Sequence, residues 1–117
     1  MDEDLKIRTR NFAVRVVKLF SALPRSTEAQ ILGKQILRSG TSIGAQYREC
    51  RYAKSDAHFV SKIQGSLQEL EETLYSIEVL EEMEIFSTER LAPIKREANE
   101  LRAIFITIAK KVKGKSV

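Results

Sequence analysis

Gly40 and Gly44 stand four residues apart among Ser39, Thr41 and Ser42 in the stretch RSGTSIGAQYREC, a small, hydroxyl-rich cluster of the kind that cradles phosphate in a loop. A phosphate loop of the Walker type needs a strand before it and a Gly-Lys-Ser/Thr ending, and the sequence has neither. Metal chemistry would draw on Glu69, Glu71 and Glu72, but bundle carboxylate sites use Glu-x-x-His pairs. The only histidine is His58, and Ser55 stands three residues before it. Cys50 and His58 lie within a turn or two of each other as nucleophile and base, yet no third group is placed to orient them. The residues therefore assign no catalytic site, no metal site and no cofactor, and the chain reads as no enzyme.

Phosphate recognition by cations is better represented. Arg8, Arg15 and Lys18 share a face of the first helical segment, and Arg48, Arg51 and Lys54 step by three with Tyr47 just before them and Tyr52 among them. Arginines grip phosphate and tyrosines stack on unpaired bases, the combination that suits single-stranded or looped RNA. Lys110 and Lys111, followed by Lys113 and Lys115, add a third basic group. These cations have a second use: neutralising acidic segments within the fold or between subunits. Residues 1–54 carry 11 Lys or Arg against 5 Asp or Glu, residues 55–89 carry 1 against 9, and residues 90–117 carry 8 against 2. The order is basic, acidic, basic.

The 117 residues fit one domain, 1–117, whose folding would remove roughly two-thirds of the unfolded surface from water. No apolar run approaches the roughly 20 residues that span a bilayer, and the acidic opening MDEDL is unlike a signal peptide. These features point to a cytoplasmic protein with no membrane partner. A single cysteine excludes an intrachain disulfide.

Apolar residues recur at helical spacing throughout. Leu91, Ile94, Ala98, Leu101, Phe105, Ile108 and Val112 alternate by three and four, and Val60, Ile63, Leu67, Leu70, Leu74 and Ile77 do the same. Phe12, Val16, Leu19 and Leu23 mark a first helix, and Ala29, Leu32, Ile36, Ile43, Tyr47 and Cys50 a second. With Thr27, Ser55 and Ser87 as capping candidates and Pro93 within about a turn of the last start, the helices are predicted near 5–23, 27–51, 55–84 and 88–112, with a basic tail at 113–117. Short links favour an all-α, up-down-up-down antiparallel four-helix bundle.

Within this scheme the glycines are helical, because the seam keeps phase across them from Ile36 to Ile43 to Cys50. A helical glycine costs roughly 0.8–1.0 kcal/mol relative to alanine, so a close approach should compensate. Gly40 and Gly44 with Ser39, Thr41 and Ala45 are expected to form a strip of small residues against another helix of the bundle or another subunit. Beside the seam run Gln35, Arg38, Ser42 and Glu49, facing Glu69, Glu72 and Tyr75 on the third helix, which predicts an ion pair from Arg38 to a glutamate or else a solvated face.

At these residues the sequence resembles the four-helix-bundle proteins named for the intervening sequence of the bacterial 23S rRNA gene. The shared pattern comprises Gln35, Arg38 through Ala45, Glu49, Ser55, Phe59, Lys62, Glu69, Glu72, Thr73 and Tyr75, and covers residues 30 to 80 best. Gln46, Cys50, His58 and Gln68 depart from it. The resemblance implies a four-helix bundle assembling into a homo-oligomeric ring, a homopentamer, with no catalytic residues. It also implies an RNA-binding accessory role, or alternatively a scaffold or adapter for a protein partner, since a related bundle accompanies reverse transcriptases of diversity-generating retroelements. A ring would multiply each basic patch by the subunit number.

Overall fold

The computed structural model describes residues 2–115. Four helices follow in order: α1 (Asp2–Ser21), α2 (Thr27–Glu49), α3 (Asp56–Glu82) and α4 (Thr88–Lys115), with a single 3-10 turn at Cys50–Tyr52 prolonging α2. Each packs on its neighbour in sequence, α4 returns to α1, and among the described residues the backbones of the diagonal pairs stay apart, which is the up-and-down bundle. It is a slender rod of 49 × 22 × 21 Å.

The helix ends have local causes. Asp2, Glu3 and Asp4 occupy the positive end of α1. Pro24 biases Leu23 away from helical geometry, so α1 ends at Ser21 rather than at 23. Ser26, and not Thr27, caps α2, its hydroxyl accepting from the Ala29 amide at 3.3 Å. Ser55 and Ser87 cap α3 and α4, accepting from the amides of His58 and Arg90 at 3.1 Å each. α3 stops two residues before the expected end because Glu84 adopts a left-handed φ of 58° and the Ile85 amide reaches back to the Leu80 carbonyl. Pro93 is the sixth residue of α4, in its second turn, so it removes the amide that would have paired with the Glu89 carbonyl. α4 continues through Lys113 to Lys115 where a tail was expected, and residues 116 and 117 lie outside the described residues.

The predicted seams form one core. Phe12, Val16, Ile36, Ile43, Ile63, Leu70, Ile77, Leu91, Leu101 and Phe105 are at most 1% exposed, joined by Leu5, which lies about two turns before the recognised seam of α1. Leu32, Leu67, Ile108 and Leu19 sit at its margin, half-buried.

The glycine-bearing segment is continuous helix. Gly33, Gly40 and Gly44 all face α1 of the same chain: a β-carbon on Gly40 would lie 2.6 Å from a Val16 methyl, and one on Gly44 2.8 Å from the Thr9 hydroxyl. The strip is narrower than expected. Ser39 turns instead toward α3, and Thr41 and Ala45 are exposed, since residues one position from a glycine point about 100° away around the helix. Interhelical hydroxyls complete the packing on the α3 side: Ser39 and Thr73 share a buried hydrogen bond of 2.7 Å, and the Ser66 hydroxyl donates to the Ile43 carbonyl at 3.0 Å.

Replacing Gly40 with alanine should improve helix propensity by about 1 kcal/mol but force its methyl into Val16, a stiff β-branched neighbour with no exposed surface. Overpacking typically costs 1–3 kcal/mol, so urea denaturation should show a net loss of about 1 kcal/mol. The Val16→Ala, Gly40→Ala pair should lose less than the sum of the two single changes.

Candidate nucleic-acid interface

Antiparallel packing brings the start of α1, the end of α2, the start of α3 and the last turns of α4 to one end of the rod. There the 3-10 turn tightens the chain, Ala53 becomes extended, and the Lys54 amide donates to Nδ1 of His58 at 3.2 Å. His58 thus acts as a local brace for the turn between α2 and α3. Arg48, Arg51, Tyr52 and Lys54 project from this turn into solvent, with Tyr52 74% exposed. Lys110 and Lys111 are exposed on α4 at the same end. Arg48 and Arg51 also line a cleft of about 310 Å³ with Lys6, Phe59 and the Tyr47–Asp2 pair.

The other predicted nucleic-acid contacts lie elsewhere. Tyr47 is 7% exposed, its ring centroid 5.6 Å from that of Phe105 and its hydroxyl donating to Asp2 at 2.6 Å. Burial and the Asp2 carboxylate keep the phenol protonated by raising its pKa well above the ordinary value. Tyr47 is a core residue and offers no face to a base, a correction foreshadowed by its place in the apolar seam. Arg8 is likewise withdrawn from the candidate surface. Its guanidinium makes two bonds to Glu97, 3.0 and 2.7 Å, and one of 3.2 Å to Glu100, which raises its pKa further and clamps α1 to α4. Arg15 and Lys18 line a separate cleft of about 250 Å³ between α1 and α4, with Arg90 and an apolar floor of Leu19, Leu91, Pro93 and Ile94.

Along the rod, several charges are paired within the chain. Arg38 spans from α2 to Glu69 at 3.3 Å and Glu72 at 2.6 Å on α3, with Gln46 donating to Glu69 at 3.4 Å. The two carboxylates raise the Arg38 pKa, Glu69 contributing first. Arg102 reaches Glu71 at 2.7 Å and Lys95 reaches Glu81 at 2.8 Å, lowering the Glu81 pKa. Lys62 pairs with Glu49 at 2.9 Å. Ser42 bonds only to its own helix, at the Arg38 carbonyl, and Tyr75 is 68% exposed beside Arg38 and Glu72 in a shallow polar cleft. The Arg38 pairing was legible as a possibility from the polar stripe; that of Arg8 was not, because Arg8 and Glu97 are 89 residues apart in sequence.

Among the described residues no carboxylate lies within 4.0 Å of the charged groups of Arg48, Arg51, Lys54, Lys110 or Lys111. These cations remain available to an outside anion. Among the same residues no three His, Cys, Asp or Glu side chains converge as metal ligands would, and no helix is long and apolar enough to cross a membrane.

Residues 2–107 match the family model of the 23S rRNA-intervening sequence protein. The chain belongs to this family. A solved protein of unknown function from the S23 ribosomal protein family of Bacteroides thetaiotaomicron VPI-5482 superposes with a TM-score of 0.86 and 38% identity, over 93% of this chain and 97% of that one. No curated protein matches the chain. The family match takes in all of α1 through α3 and most of α4, so the pattern centred on residues 30–80 reports on the whole bundle.

Cys50 lies at the base of the end cleft, 6% exposed, and burial pushes its thiol up to about 11. Since the thiolate is the reactive form, alkylation at pH 8 should be on the order of a hundredfold slower in the folded protein than in urea. A pH series from 7 to 10 should keep the native rate rising where the unfolded one levels off. Equal rates in both states would contradict this placement.

Proposed function

We propose that this chain is a non-enzymatic, oligomeric accessory protein that binds RNA through the cationic end of its bundle. The carrying observation is the placement of cations: Arg48, Arg51, Lys54, Lys110 and Lys111 are exposed together at one end of the bundle and, among the described residues, have no carboxylate partner. A cluster without partners raises the local potential that attracts a polyanion, and the exposed Tyr52 supplies an aromatic face for an unpaired base. The partners are structured RNA with accessible loops or single-stranded RNA.

Assembly strengthens such a site. Ile7, Val14 and Val17 are 40–48% exposed on the outer side of α1, an apolar stripe suited to contact with another copy. A homopentameric ring would present five cationic ends, converting weak phosphate contacts into avidity. The same stripe supports a second reading, an oligomeric scaffold that docks a protein such as a polymerase and touches nucleic acid only incidentally.

Affinity for single-stranded RNA should fall as salt rises, with a slope of about −0.7 per phosphate neutralised. Arg48→Glu with Arg51→Glu should abolish filter binding without changing subunit number by light scattering, and single neutralisations should flatten the slope by about 0.7 each. Lack of binding even at low salt would favour the scaffold.

A further inference from the structure

The cleft at the cationic end has a shape and polarity that simple phosphate attraction leaves unexplained. Its volume, about 310 Å³, stands at the lower limit of the roughly 300–1,000 Å³ typical of small-ligand sites, so it suits one compact group. Phe59 from α3, half-buried against the core, and the Cys50 sulfur give it an apolar lining, while Arg48 and Arg51 carry the positive charge. Asp2 also lines it, held by the Tyr47 hydroxyl at 2.6 Å and by Lys6 at 3.4 Å. A carboxylate so fixed repels a phosphate from the interior and offers acceptor capacity to an N–H group. An aromatic wall, a fixed acceptor and two unpaired guanidiniums match a nucleotide with its base inside and its phosphates outside.

From this geometry we infer that the cleft is a slot for a single unstacked nucleotide of an RNA strand. The base lies against Phe59 and its edge meets Asp2, while Arg48 and Arg51 hold the flanking phosphates. The slot rests on the RNA-binding reading above and adds to it a preference for strands with flexible, unpaired bases, since only an unstacked base can enter. Tyr52, outside the cleft, stacks on a neighbouring base without being part of the slot.

The test compares, with the full chain, a short single-stranded RNA and an abasic ribose-phosphate strand of equal length and charge, by fluorescence anisotropy at low salt. Base stacking against an aromatic side chain should make the intact strand bind about tenfold tighter. Phe59→Leu, which keeps the position apolar, should erase most of that preference with helix content unchanged by circular dichroism, and Tyr52→Ala should leave a preference in place. Equal affinities for the two strands, both lost in the Arg48→Glu, Arg51→Glu variant, would overturn the slot and leave the RNA-binding reading standing. So would a preference that survives Phe59→Leu but disappears in Tyr52→Ala. Should Phe59→Leu fail to fold, the Tyr52→Ala variant decides: a preference for the intact strand that persists there supports the slot, and one that vanishes overturns it. Failure of both strands to bind would overturn both readings.

Discussion

Close contact between α1 and α2 is the constraint on which the rest of the bundle depends. Gly33, Gly40 and Gly44 leave no side chain between the helices, so Phe20, Val16 and Thr9 press directly against the α2 backbone. That approach fixes the height and rotation of α1. Asp2 then meets Tyr47, and Arg8 meets Glu97 and Glu100 on α4, closing the ring of four helices on its most sparsely packed side. The helix-propensity cost of the glycines is offset by packing that larger residues would prevent.

Along the same rod, ion pairs tie neighbouring helices together. Where α3 runs beside α2 and α4, its glutamates meet Arg38, Arg102 and Lys95 across helix boundaries. At the end where α2 turns into α3, Arg48 stands in the last turn of α2, Arg51 in the 3-10 turn and Lys54 in the link braced by His58, all three exposed. Exposed ion pairs contribute little to stability, but they decide which cations are already engaged. The candidate interface is the end where exposed cations without a carboxylate partner among the described residues stand beside an exposed tyrosine.

Much of this architecture was legible in the sequence. Heptad spacing and the serines before α3 and α4 located the helices, and the unbroken phase across Gly40 marked that segment as helical. Misses came where the answer lay in tertiary geometry or a local backbone choice. Glu84 enters the left-handed region without the glycine that usually announces it. Gly40 and Thr41 are adjacent in sequence but point to different faces, so a strip of small residues was read too broadly. Arg8 and Tyr47 had the right chemistry for nucleic acid, yet partners 89 and 45 residues away engage them. The end cleft was invisible for the same reason, since Asp2, Arg48 and Phe59 come from three separate helices.

If RNA binds as proposed, the exposed positive charge at one end of the rod is what it meets. Amide chemical-shift mapping by NMR on addition of a short single-stranded RNA tests it most directly. The account predicts perturbations concentrated at residues 48–59 and in the last turns of α4, with the Arg38 and Arg8 regions quiet. Shifts centred on the α1–α4 cleft around Arg15, Lys18 and Arg90, or no shifts at all, would contradict it.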